Sequence, residues 1–215
     1  MEKWNFKDCT IVQLRKTFNL ERLNTNISLQ KWLESEYVLS DFNKAMLEFY
    51  QSVLLDNVDS WNEQELALNF IGPVISMVGF GKEKKFNSFA ERSFSAIIGD
   101  IELSGKVDGM IASGKEEPEA PYFCLQEYKK DTDPNGDPKA QVLAAMLVAQ
   151  HKNADQEPIY GAYIKGRSWY FMTLEGNNFA ISQQYDACKN EIFDIFRILN
   201  GLRIMLEKKF NNQNI

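Results

Sequence analysis

Apolar residues recur at helical spacing through roughly the first 58 positions. Ile11, Leu14 and Phe18 form one such set and Leu29, Trp32 and Leu33 a second. A third comprises Ala45, Leu47, Tyr50, Val53 and Leu54 behind a cap at Ser40 or Asp41. A further helix is predicted to start at Ser60-Trp-Asn-Glu63, which has the form of a capping box. It carries Leu66, Leu68, Phe70, Ile71, Val74, Ile75 and Val78, and Pro73, which has no amide donor, should kink or restart it.

From Phe86 the period changes to two. Residues 93–103 read as a strand, Ser104-Gly105 as a turn and 106–113 as the returning strand. The acidic stretch 114–121 reads as a solvated loop, 122–129 as a third strand and 131–137 as a turn-rich loop. Asp137 then caps a helix with Pro138 at its first position, and this helix is so apolar up to Lys152 that it should be buried. A hairpin of 159–165 and 168–175 turns at Gly166-Arg167, a short strand follows at 179–182, and an amphipathic helix from Lys189 to about Phe210 closes the chain. The order from residue 60 is helix, three strands, helix, strands, helix. That predicts an α/β or α+β domain over 60–215, a central mixed sheet flanked by helices, behind a helical N-terminal extension over 1–59.

Composition narrows the chemistry. With 44% hydrophobic and 25% charged residues the 215-residue chain is too apolar to be disordered. Cys9, Cys124 and Cys188 are far apart and His151 is the single histidine, which excludes a Cys/His zinc site and argues against a disulfide framework. Free thiols fit a reducing cytoplasm. No signal-like apolar segment stands at the N-terminus and no run is long enough to span a membrane. Nothing resembles a nucleophile elbow, and Gly79-Phe-Gly-Lys82 is too short for a P-loop.

The chemically informative segment is Gly105-Lys-Val-Asp108-Gly followed by Phe123-Cys-Leu-Gln-Glu127-Tyr-Lys129. Residues two apart on a strand share a face and lie about 6.6 Å apart. Glu127 and Lys129 therefore project together, Gln126 and Tyr128 point the other way, and Asp108 on the preceding strand can converge on the same place. Two carboxylates and a backbone carbonyl make a hard oxygen site suited to Mg²⁺ or Mn²⁺, and a lysine beside it can hold or polarise a water. Such a site suits phosphodiester hydrolysis. The plainer alternative is a surface salt bridge across two strands, contributing about 0–1 kcal/mol. Against that, a charged end to an apolar strand is costly without a partner.

Asp108 and then Glu127-x-Lys129, on strands that follow a helix, resemble the PD-(D/E)XK nuclease superfamily over residues 60 to about 175. The resemblance implies a restriction-endonuclease-like core in which Asp108 and Glu127 bind the metal and Lys129 serves the attacking water. It also implies a glutamate from the first core helix, for which Glu65 is the better match because Glu63 is taken for the cap. Gln141 matches the glutamine of the helix after the third strand. Val107 stands where the name-giving pattern has proline.

Bland readings remain beside these: Glu65 as a solvated carboxylate, Gln141 as a helix-face side chain, Lys130 as a solvent-facing cation, and His151 as the partner of a helix C-terminus. The expectation is Mg²⁺-dependent cleavage of DNA; the alternative is an inactive nuclease-like fold that binds nucleic acid or a protein. Net charge is −6, and residues 61–139, which hold the proposed site, carry −5 of it. DNA binding should therefore be weak and salt-sensitive, aided by a second subunit in a homodimer or by a restriction or repair complex.

Overall fold

In the computed structural model, residues 1–81, 85–130, 137–153, 155 and 157–212 are described. The predicted loop over 131–137 lies outside them except for Asp137, and so does Lys82. A nine-stranded mixed sheet forms the centre, in the order β1-β4-β5-β6-β7-β8-β2, with β3 paired to β4 and β9 to β7. Its strands are β1 (Glu2–Asn5), β2 (Glu21–Leu23), β3 (Asn87–Ile98), β4 (Ile101–Ser113), β5 (Glu119–Lys129), β6 (Ile159–Lys165), β7 (Ser168–Glu175), β8 (Asn178–Ile181) and β9 (Tyr185–Asp186). Pairing is parallel for β1 with β4, β2 with β8 and β5 with β6, and antiparallel elsewhere.

Helices cover both faces. α2 (Ile27–Leu33), α3 (Asp41–Asn57), α4 (Glu63–Leu66), α5 (Gly72–Val78) and α7 (Glu191–Asn212) pack with Ile111, Cys124, Ala162 and Phe171. On the other face α6 (Pro138–Asn153) and α1 (Ile11–Thr17) pack with Met110, Leu125, Tyr163 and Met172. Every residue of α6 from Ala140 to Ala149 is buried, as its unbroken apolar sequence requires. Asp137 accepts the Ala140 amide at 3.3 Å, so its role as cap and that of Pro138 as first helical residue hold.

The order of helix, three strands, helix, strands and helix predicted from residue 60 is observed; β3 begins at Asn87 and β5 at Glu119, earlier than expected, and three further differences lie along the whole chain. The first hairpin turns at Gly99-Asp100, five residues before the expected Ser104-Gly105. Gly99 takes φ +62°, open to glycine without strain. Gly105 sits inside β4, glycine because the Phe6 ring lies where a Cβ would be.

The second difference is the helix start. Ser60 belongs to the turn after α3 and donates its hydroxyl to the Asn57 carbonyl at 2.9 Å. Asn62 is the cap instead, and its capping box closes with Glu65. Pro73 is accommodated by a π-turn over Ala67–Ile71, after which α5 begins with the proline at its N-terminal end.

The third difference concerns the first 59 residues, which are not wholly helical. β1 and β2 add to the sheet, and α2 places Trp32 in the core. Strands of three or four residues leave almost no periodic signal and form because an existing edge offers them partners.

Candidate functional site

Strand alternation builds the site. On β5 Leu125 faces α6, and Glu127 and Lys129 follow its alternation; on β4 the alternation breaks around Asp108, since Val107 and Met110 both pack on the α6 side, and Asp108 lines a cleft with Glu63 and Tyr128. The antiparallel ladder pairs Gly109 with Gln126. One step on, Asp108 and Glu127 stand opposite each other. There the Tyr128 amide is donated to Asp108 Oδ2 at 2.6 Å, a side chain serving where a ladder carbonyl would. Gln126 and Tyr128 point the other way, as expected, and the Tyr128 hydroxyl donates to Gln126 Oε1 at 2.5 Å.

Lys129 Nζ lies 2.8 Å from Glu127 Oε1 and 3.6 Å from Glu63 Oε1. Both ends of the first pair are largely withdrawn from solvent, with side-chain exposures of 14% and 8%. A surface salt bridge does not describe this pair.

The electrostatics follow from burial and crowding. Burial, with the charges of Glu91 and Glu63, pushes the Asp108 carboxyl up to about 6, against the Tyr128 amide and Lys129. Burial and then the charge of Asp108 push Glu127 up to about 7, although Lys129 opposes this. Burial pulls Lys129 down, but its hydrogen bond and charge contact with Glu127, with Glu63 and Asp108 beyond, leave it raised. Two buried carboxylates, Glu127 pressed by the charge of Asp108, held by one ammonium, form a site short of positive charge.

Glu63 and Glu65 exchange their expected parts. Glu65 is exposed and accepts the Asn62 amide at 2.8 Å, which is the capping bond. Glu63, one helical position past the cap, is the glutamate that reaches Lys129. The sequence reading failed because it placed the cap two residues early. Gln141 is buried one turn into α6, and its amide donates to the Asp137 carbonyl at 3.0 Å. Lys130 is exposed, and His151 stands exposed in the last turn of α6.

A residue that the sequence did not single out also borders the site. Glu91, with φ 57° in the middle of β3, falls where the β3–β4 register passes from Ala90–Gly109 to Arg92–Val107. It is therefore opposite Asp108, and its carboxylate pairs with Lys106.

The donor set fits a hard divalent cation in kind: carboxylate oxygens, half-buried, whose mutual repulsion a cation would relieve. Asp108 and Glu127 are the residues that would hold it, with Glu63, whose carboxylate also reaches Lys129, able to join them. Among the described residues no three His, Cys, Asp or Glu side chains are already drawn into one metal-binding group. Lys129 occupies the charge-balancing place beside Glu127.

No protein-family model and no curated protein matches the chain. Among solved structures, the DrdV–DNA complex determined by cryo-EM has a similar outline, at a TM-score of 0.45 and 13% identity. The match covers 74% of this chain and 14% of that one, so this chain spans only a small part of its structural neighbour. No helix among the described residues is long and apolar enough to cross a membrane.

Proposed function

We propose that the protein is a metal-dependent nuclease that hydrolyses phosphodiester bonds in DNA. The observation that supports this best is the meeting of Asp108, within β4, with Glu127 and Lys129 at the end of β5, both carboxylates pushed up by burial and Glu127 further by the charge of Asp108. Asp108 and Glu127 would hold Mg²⁺ or Mn²⁺, which when bound lowers the pKa of a water and offsets charge on the phosphate. Lys129 is the group within reach of the carboxylates that can orient a water and neutralise developing negative charge. Glu63 would support the site from the helix, and Gln141 from the start of α6.

A second reading, an inactive fold that binds nucleic acid or a protein, draws support from Lys129 itself. Its ammonium already serves Glu127 and Glu63, so the carboxylates are partly satisfied without a cation. One assay separates the two: plasmid and single-stranded DNA incubated with the protein in Mg²⁺, Mn²⁺ or EDTA, beside Asp108→Asn and Lys129→Ala. Cutting that needs the cation and disappears in both variants is the expected result. Cutting that persists in both variants assigns the activity elsewhere, and no cutting under any condition favours the binding module.

A further inference from the structure

A cleft of about 950 Å³ opens beside Asp108, between the helical segment 63–78 and strands β3 and β4. That is within the roughly 300–1,000 Å³ of small-ligand sites. Leu68, Ile75, Phe80 and Phe89 give it apolar walls, and Ser76 and Asn87 add hydrogen-bonding groups. Leu68 is 72% exposed, a large apolar side chain left uncovered at the cleft.

Backbone irregularities stand on both sides of it. The π-turn over Ala67–Ile71 contributes Ala67 and Leu68 to one wall, and the left-handed Glu91 interrupts the β3 edge on the other. A non-glycine residue held there costs on the order of 1–2 kcal/mol, and both kinds of irregularity re-aim side chains.

The charges say what enters. Glu63, Glu91 and Asp108 line the cleft, and no Lys or Arg is among its described lining residues. A phosphate inside would meet carboxylates and no counter-charge. The carboxylates gather at the end of the cleft next to the proposed cation site, Glu63 beside Lys129, Glu91 beside Lys106 and Asp108 on the Tyr128 amide, and the rest of the described lining is uncharged. An apolar slot with polar groups suits a planar heterocycle instead. Bases within a duplex hide their faces by stacking, whereas an unpaired base exposes both.

We infer that this cleft takes the base of one unpaired nucleotide next to the phosphate at the Asp108–Glu127 site, so that the substrate is single-stranded or frayed DNA. This rests on the nuclease reading for its connection to cleavage, and on the cleft alone for binding. The lysines paired with Glu63 and Glu91 lie outside the lining, where the strand's phosphates would remain.

The test uses the full chain in EDTA with a short single strand carrying a fluorescent adenine analogue, and the same strand in a duplex. The wild-type protein should bind the single strand roughly tenfold more tightly than the duplex and change the analogue's fluorescence. Ser76→Trp, which fills the cleft from an exposed helix position, should remove both effects. Leu68→Asp, also at an exposed position, should do the same through charge, so a folding failure in one variant leaves the other to decide. Equal affinity for the two forms, or wild-type binding by a folded variant, overturns the inference. Cation-dependent cutting that Asp108→Asn abolishes, yet equal on duplex and single strand, overturns it while sparing the nuclease reading. Cleft-dependent binding without cutting does the reverse.

Discussion

Lys129 Nζ stands 2.8 Å from Glu127 Oε1, two residues apart on one strand, with both side chains mostly out of water. Truncating the lysine leaves Glu127 facing Asp108 with no cation between them. Lys129→Ala should therefore destabilise the protein by about 2–4 kcal/mol at pH 8 in urea melts. The loss should shrink at pH 5, where Glu127 is protonated and needs no partner. An equal loss at both pH values would show that the lysine acts by packing. In Mg²⁺, cleavage by this variant should fall at least about 100-fold.

Asp108 and Glu127 also set a pH dependence for the cation-free protein. Their folded values of about 6 and about 7 lie above the roughly 4 of an unfolded chain. Between those limits the folded state binds more protons than the unfolded one, so these two groups make stability fall as pH rises from 4 to 7. Asp108→Asn removes one charge of the pair while its side-chain oxygen can still accept the Tyr128 amide. It should be more stable than wild type by on the order of 2 kcal/mol at pH 8 in EDTA, and little different at pH 4. A destabilised variant at pH 8 would mean that the carboxylate's hydrogen bond outweighs its burial. Mg²⁺ should raise the melting temperature of wild type and not of this variant.

The two helix glutamates separate by readout. Glu63→Gln takes a charge from beside Lys129 and should lower cleavage by about 10–100-fold with little change in melting. Glu65→Ala opens the capping box and should cost about 0.5–1 kcal/mol of stability with cleavage kept. The opposite pattern, measured by initial rates and thermal melts, would return the supporting role to Glu65.

That pair also shows how much of the site was legible. Period-two alternation suffices to bring Glu127 and Lys129 to one face of β5, whereas Asp108 is set across from Glu127 by the ladder at a point where the β4 alternation breaks, Val107 and Met110 both packing on the α6 side. Helix phase is less forgiving. Ser60 and Asn62 are both good caps, and the choice falls to Asn62 because Ser60 is used by the end of α3. The first hairpin fails for a similar reason: Gly99-Asp100 and Ser104-Gly105 both read as turns, and Phe6, distant in sequence, fills the space beside Gly105. Glu91 had no local signal, since its left-handed backbone comes from the register across to β4. Long periodic elements were readable; features set by a distant partner were not.

Trp32 tests whether the first 59 residues are an appendage. It is fully buried, donates its indole N–H to the Ile198 carbonyl at 2.9 Å, and meets the rings of Tyr160 and Phe171 edge-on at 5.0 and 5.1 Å. The N-terminal helix thus joins α7, β6 and β7 into one core, while β1 and β2 complete the sheet at β4 and β8. Trp32→Ala removes the ring and leaves the Ile198 carbonyl without its side-chain donor. It should cost about 3–5 kcal/mol. Because the core is shared, unfolding should stay a single transition, with circular dichroism and tryptophan fluorescence coincident in wild type and variant. A chain beginning at residue 60 should fail to fold. Two separated transitions, or a truncated chain that melts like the intact one, would establish two independent units.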